Sequence, residues 1–458
     1  MARTEFKTPK DALDWLFSNT NYEQKPSFRY NTRTFNVERT DRILQLVDNP
    51  HLAYPTVHVA GTKGKGSTSA MIAAILEAAG TGKVGLYTSP HLMRLEERIA
   101  INFEPIGERA LFECLSAVRG PVEAVTEMGP EWKPTFFEIF TCVGFLYFAR
   151  EKADAAVVEV GLGGRLDATN VVAPVVTGIT PISFDHTAVL GDTLSLIARE
   201  KGGIIKPGVP LVIGLQEKEA YDAIIDIARK RIAPTFSYEA DYRVSTVTRE
   251  GFAVETPLAR YDALLLALPG SHQRYNAAMA VTMAEIAAKK MGVTITADAV
   301  RKALSNLKWP GRVEVWSEEP PIVIDAAHNA ASARALVEAL GERFPGRKAV
   351  IVMAIAQHKD FEGVIEALCE VAREFVVTTI DSPRSTSPEA LAAVASAKSA
   401  VPVHVVADRR GALEFGRKLA GAGLLVITGS FYLAGELRAI LVRERDAAVV
   451  TQAPKGLR

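Results

Sequence analysis

The sequence predicts an α/β protein of two domains, and three observations carry that prediction. From Thr56 onward, short apolar β-branched runs alternate with longer stretches of helical period, the pattern of βα units on a mostly parallel sheet. The length, 458 residues, exceeds what one hydrophobic core ordinarily serves. The clearest break, Leu307-Lys308-Trp309-Pro310-Gly311-Arg312, runs a helical stretch into a Pro-Gly turn and a new strand. Residues 1–310 and 311–458 are therefore read as a larger N-terminal domain and a smaller, open α/β C-terminal domain.

Strands of the first domain are expected at 56–60, 84–88, 155–160, 175–180 and 210–213, each closing near a Gly, Ser, Thr or charged residue. The helix after the first strand sets Met71, Ile72, Ile75, Leu76 and Ala79 on one stripe that can pack on a sheet. Ser67-Thr68-Ser69 reads as its capping signal. Residues 234–268 differ, with shorter strand-like stretches at 242–247 and 264–268 that predict a small antiparallel insertion. Another helix is expected from Ser271 through Lys290. Beyond the break, strands are expected at 321–325, 348–354, 374–379, 402–406 and 424–428, separated by helices. Residues 443–458 are polar and unpatterned and are expected to be frayed.

Composition narrows the class of partner. Lys plus Arg and Asp plus Glu number 53 each, so no single-sign field points to nucleic acid or a membrane surface, and small-molecule partners are expected. Three widely spaced cysteines, Cys114, Cys142 and Cys369, suit neither a disulfide framework nor a thiolate zinc site. The N-terminus lacks the apolar core of a signal peptide, and no apolar run is long enough to span a bilayer. A cytoplasmic monomer is the expectation.

The strongest chemical signal is Val57-His58-Val59-Ala60-Gly61-Thr62-Lys63-Gly64-Lys65-Gly66-Ser67-Thr68. A strand, a glycine-rich turn and a helix start converge backbone N–H groups on one anion, and a lysine adds a mobile charge, making a phosphate cradle. The kinase-type loop would need glycine at Val59 and Ser or Thr at Gly66, so that spacing is excluded. Glu159 ends an apolar strand and precedes Gly161-Leu162-Gly163-Gly164, which aims its carboxylate at the sheet edge where a hard cation could be held. An ion-paired strand-end glutamate would look the same. His186, after Asp185, reads more readily as a structural histidine than as a ligand.

The loop resembles that of the folylpolyglutamate synthase and dihydrofolate synthase branch of the Mur ligase family, with Lys63 where that family usually has Asn. The resemblance continues in order through Tyr87-Thr-Ser89-Pro-His-Leu, Glu96-Glu-Arg-Ile, Thr135-Phe136-Phe137-Glu138, Glu159 through Asn170, Asp185-His186-Thr, Leu190-Gly, Glu200-Lys201, Pro310-Gly-Arg312, Asp325-Ala-Ala-His328-Asn and Thr428-Gly-Ser430. It implies an N-terminal P-loop-type ATPase domain with a mostly parallel sheet and a C-terminal Rossmann-like ligase domain.

That resemblance implies ATP bound by Gly61 through Thr68, Asn276, Arg312 and Asp325. It implies two Mg2+ ions, one on Ser89 and Glu159, the other on His186 and a carbamylated Lys201. An unmodified lysine would turn positive charge toward the metal, which is the wrong sign for a ligand. It also implies a folate-type acceptor near Thr135, Phe137 and Asp167, and Asp325, His328 and Ser430 serving nucleotide and L-glutamate. As residues alone, Phe136 and Phe137 read equally well as core packing, and polar residues opening the helix at Ser271 as a cap.

The reaction implied is ATP-dependent ligation of L-glutamate to a tetrahydrofolate or dihydropteroate carboxylate through an acyl phosphate, with Lys65, His186, Lys201, Asp325 and His328 in the catalytic group. Closure of the second domain about Pro310-Gly311 is the expected way to exclude water. Another Mur-type ligase, acting on a cell-wall or storage-polymer precursor, and an ATP-binding regulator without chemistry are the competing readings.

Overall fold

The computed structural model describes residues 5–23, 25, 31–32, 34–248, 250–357, 359–382 and 385–452. Two compact units divide it. The first comprises Met1–His91, Leu95–Ala267 and Gln273–Leu307; the second comprises Lys308–Arg458 together with Leu92–Arg94 and Leu268–His272. The Pro-Gly break thus opens the main body of the second unit, which also gathers two short segments from before it.

In the first unit β1 (Thr56–Ala60), β2 (Val84–Tyr87), β3 (Ile99–Ile101), β4 (Glu104–Pro105), β5 (Ala155–Glu159), β6 (Pro174–Ile179), β7 (Leu211–Ile213) and β8 (Thr235–Ser237) form one sheet in the order β4-β3-β2-β5-β1-β6-β7-β8. All its pairings are parallel except those of β3 with β2 and with β4. Strands β1 and β5 are buried along their whole length, as central strands of a parallel sheet covered on both faces are. One core lies under the helices Glu108–Thr126 and Phe136–Arg150 and includes Tyr87, Leu115, Phe140 and Phe145. Another gathers Ile179, Ile197, Ile213 and Ile224. The antiparallel insertion is a three-stranded sheet of β9 (Arg243–Thr248), β10 (Gly251–Glu255) and β11 (Arg260–Leu264).

The second unit is a six-stranded sheet, β12-β13-β17-β14-β15-β16, built from β12 (Glu314–Glu318), β13 (Pro321–Ile324), β14 (Ala349–Met353), β15 (Ala372–Val377), β16 (Val403–Val405) and β17 (Leu424–Thr428). Only β12 runs antiparallel. A core lies on each face.

Three expectations need correction. The strand placed at 264–268 is instead Arg260–Leu264, because the hairpin register pairs Leu264 with Phe252 and leaves Leu265 exposed. The helix expected to start at Ser67 starts at Lys65. The segment expected to fray at 443–458 is helical to Gln452 within Phe431–Gln452, where Leu433, Ala434, Leu437 and Leu441 are buried and the guanidinium of Arg445 lies over Trp316. Residues 453–458 lie outside the described residues, as do Met1 to Thr4 of the N-terminus. No helix among the described residues is long and apolar enough to cross a membrane.

Candidate active site

Four neighbouring parallel strands deliver the first unit's candidate residues to one sheet edge. β1 feeds Gly61 to Ser67, β5 ends at Glu159, β6 leads into Thr180 and Pro181, and β2 leads to Ser89. Ligands of open parallel sheets bind beyond these carboxyl ends.

Two glycines set the loop's path. Gly61 has φ +145°, and a Cβ there would lie 1.8 Å from Thr180 Oγ1; Gly64 has φ +81°, with a Cβ only 2.5 Å from Asn276 Oδ1. Gly64 is the N-cap of the helix Lys65–Ala78 and supplies no side-chain cap. A capping side chain there would occupy N–H groups that an anion could otherwise meet. The N–H groups of Thr62 and Lys63 are spent on the Pro181 carbonyl, each at 3.1 Å, so they anchor the loop. The first turn at Lys65, Gly66 and Ser67 has no side-chain cap, the arrangement with which a helix start can take an anion. Ser67 and Thr68 are buried.

Around that turn the charges are arranged in layers. Lys65 Nζ lies 3.9 Å from Glu159 Oε1, and the Ser89 N–H donates to Glu159 Oε2 at 3.2 Å. Beneath, the buried Lys201 donates from Nζ to the Gly61 carbonyl at 2.8 Å. Burial, reinforced by the positive charge of Lys65, pushes the Lys201 pKa down to about 7. His186 stands in the left-handed region with φ +52°, and its side chain is 46% exposed. Its ring Nε2 is 4.0 Å from Asp185 Oδ1. Glu159, Ser89 and Lys65 are thus brought together, and Asp185 attracts the Lys201 ammonium.

The acceptor candidates sit on the helix Phe136–Arg150 and the loop after β5. Thr135 is the N-cap of a capping box with Glu138, whose carboxylate also pairs with Arg39. Phe136 is core, stacked on Phe140 at 5.8 Å. Phe137 is half-buried and presses on Gly161, where a Cβ would meet its Cζ at 2.4 Å. Asp167 is buried. Its Oδ2 accepts the Leu162 N–H at 2.8 Å, and its Oδ1 accepts the Thr169 N–H at 3.0 Å and hydroxyl at 2.5 Å. Burial raises its pKa, and these donors oppose the rise. Because the Thr169 hydroxyl donates to Asp167, His58 Nε2, 2.9 Å away, must donate to Thr169.

In the second unit Asp325 Oδ2 accepts the Val313 N–H at 2.8 Å and Oδ1 the Ala327 N–H at 2.7 Å. Its pKa is raised by burial and opposed by the Arg312 charge. Val313, a β-branched residue at φ +47°, is strained, and strain of this kind gathers at functional turns. The Phe431 ring has the Arg312 guanidinium 4.7 Å from its centroid and the His328 ring at 5.8 Å. Ser430 Oγ accepts the Tyr432 N–H.

Several residues escaped the sequence reading. Gln273 Nε2 approaches Ser67 Oγ at 3.4 Å and its Oε1 accepts from Asn276 Nδ2 at 3.0 Å, so it bridges the loop to Asn276. Arg98, buried, donates to both Glu23 oxygens at 2.7 and 2.6 Å and to His91 Nδ1 at 2.9 Å, fixing the segment after Ser89. Burial, then the Arg98 charge, pushes the His91 pKa down to about 4. His58, Thr169 and Phe431 belong with them. Nothing local in the sequence marks such pairs, whose members meet only in the fold.

The chain matches the Mur ligase middle domain over residues 59–284 and the Mur ligase glutamate ligase domain over residues 311–431. It is 34% identical to the dihydrofolate synthase/folylpolyglutamate synthase of Bacillus subtilis over 94% of this chain and 99% of that protein. Among solved structures, it superposes on Mycobacterium tuberculosis folylpolyglutamate synthase complexed with ADP with a TM-score of 0.86 and 31% identity, covering 94% of this chain and 98% of that one. It superposes on an FPGS–AMPPCP–folate complex with a TM-score of 0.80 and 31% identity, over 95% and 100% of the two chains.

Proposed function

The chain belongs to the Mur ligase family, in its dihydrofolate synthase/folylpolyglutamate synthase branch, and from that premise we propose that it ligates L-glutamate to a folate-type carboxylate at the expense of ATP. The observation that carries the reading is the open turn Lys65-Gly66-Ser67 at the head of a helix, with Lys65 and the buried Glu159 3.9 Å apart beside it.

A carboxylate is a poor acyl donor because its leaving group is oxide; transfer of the γ-phosphoryl group of ATP makes that leaving group phosphate. The chain has little covalent work in this step. The N–H groups of Lys65, Gly66 and Ser67 and the Lys65 ammonium hold phosphate oxygens and neutralise charge as the phosphoryl group moves. Asn276 and Gln273 keep the loop in register with the helix Ser271–Met291. From the second unit, Arg312, Asp325 and His328 serve nucleotide and glutamate, and Ser430 is assigned with them. Phe137 offers a face to a planar acceptor, and the Asp167 carboxylate, with donors from its own loop on both oxygens, sets the shape of residues 161–170. The glutamate amine then displaces phosphate and loses its proton.

Glu159 and Ser89 present oxygen donors and fit Mg2+. Among the described residues no three His, Cys, Asp or Glu gather into a metal cluster, and Mg2+ is ordinarily held by one or two carboxylates completed by phosphates and water. When bound, it would supply Lewis-acid neutralisation of the phosphates. A second ion at His186 fits only if Lys201 is carbamylated, since the amine is a cation or neutral donor and the carbamate an oxygen ligand. A buried amine with its pKa near 7 has the neutral form that adds CO2, with loss of a proton. Intact mass and bound-metal analysis test this; unmodified Lys201 with full metal occupancy contradicts it. The setting proposed is a cytoplasmic monomer.

The reading is tested with purified protein, ATP, Mg2+ and glutamate, offered dihydropteroate or tetrahydrofolate separately, with products read by mass. Addition of one or more glutamates to either acceptor supports it and says which activity the chain has. Glutamylation of neither removes the folate reading.

A further inference from the structure

Phe431 stands between two residues that the proposed mechanism uses and is itself unassigned. It opens the helix Phe431–Gln452 directly after Ser430. Its ring lies under the Arg312 guanidinium at 4.7 Å and beside the His328 imidazole at 5.8 Å with a 50° tilt. Among the described residues Arg312 makes no hydrogen bond and no ion pair; the ring is its contact, and Asp325 attracts it only through space. Every other close partner a protein could offer an arginine, a carboxylate or a carbonyl, would consume N–H donors.

An aromatic face holds a guanidinium differently. The ring quadrupole attracts the cation through its plane and leaves all five N–H groups at the edge free. We infer that Phe431 is a positioning residue that holds the Arg312 guanidinium by its face so that its N–H edge stays available for the phosphate oxygens of ATP. The inference rests on the proposal that Arg312 serves those phosphates. It adds the reason Arg312 can be held in place without being neutralised, and it makes Phe431 a determinant of nucleotide use. The same ring also touches the His328 imidazole, but the effect on ATP use is assigned to Arg312 alone.

The test is a set of full-length variants measured in the ligation reaction. Leucine at this position keeps apolar contact with the surrounding core of Ile427, Leu433 and Ala434 and removes the ring. Phe431→Leu is expected to lower kcat/KM for ATP about three- to tenfold, while Phe431→Tyr and Phe431→Trp stay within about twofold of the parent. Thermal melts identify any variant lost to misfolding. In the Arg312→Ala background, Phe431→Leu is expected to cost nothing further, because the interaction it removes is already gone. An equal loss for Leu, Tyr and Trp, or an undiminished loss in the Arg312→Ala background, overturns the inference while leaving the role of Arg312 standing. Normal ATP use by Arg312→Ala overturns that role and the inference with it.

Discussion

In the proposed function the two units present positive charge to phosphate with different materials. At the end of β1 the donors are backbone N–H groups fixed by the helix and by two glycines with positive φ, and the Lys65 ammonium beside them is balanced by Glu159 at 3.9 Å. At the ends of β13 and β17 the donors belong to a long side chain, Arg312, held by an aromatic ring and opposed by no ion pair among the described residues. Backbone donors lose no side-chain entropy on binding, whereas a guanidinium must be held still before it is useful. Precision in the first unit therefore comes from loop geometry, and in the second from packing.

Removing the charges of the first unit is the harshest way to break this contrast. Lys65→Ala and Glu159→Ala are each expected to reduce ligation at least a hundred- to a thousandfold, measured as glutamate-dependent phosphate release; normal turnover in either would contradict the loop's role. Gly64→Ala changes only geometry. It forces a left-handed alanine against Asn276 Oδ1 and is expected to cost roughly a hundredfold in kcat/KM for ATP, with a folded protein by circular dichroism. Tolerance of alanine would mean that the loop is less fixed than its dihedrals imply.

A gentler probe is pH. Burial holds the His58 pKa down at about 3, against an ordinary 6.5. The unfolded chain therefore binds a proton that the folded chain refuses as pH falls below 6.5, and the contribution of this site to stability is lost progressively from 6.5 toward 3 and is intact above 6.5. His58→Gln is expected to flatten the acid limb of stability against pH by up to about 1.4 kcal/mol per pH unit, as read by urea titration at several pH values. An unchanged slope would show that His58 does not stay neutral in the fold. The smallest effect is expected away from both sites. Ile232 is 84% exposed at φ +52° where a helix ends, a position suited to glycine. Ile232→Gly is expected to stabilise the protein by about 1 kcal/mol without altering kinetics; destabilisation would contradict the strain.

How much of this was legible in the sequence follows the same division. The loop could be read because its glycines and lysines are neighbours in the chain, and the central strands because Thr56–Ala60 and Leu424–Thr428 are short, β-branched and mostly apolar. Strands β3 and β4, three and two residues long, carry too little pattern to detect. The last turns of the final helix were missed because residues 443–447 are all exposed and carry no apolar stripe to mark the helix continuing from Phe431. Ser67 to Ser69 looked like a cap because the sequence does not reveal that the left-handed Gly64 is the N-cap and that the helix starts at Lys65 without a side-chain cap. Arg98 with Glu23, His58 with Thr169, and Arg312 with Phe431 are separated by 75, 111 and 119 positions, and only the fold makes them pairs.

The central claim is that the acceptor carboxylate is activated by phosphorylation before the amine attacks. Dihydropteroate or tetrahydrofolate, whichever the protein glutamylates, is prepared with 18O in its reacting carboxyl group and taken through ligation with ATP and glutamate. The account predicts one labelled oxygen delivered to inorganic phosphate for each amide formed; phosphate that carries no label while amide accumulates would contradict it.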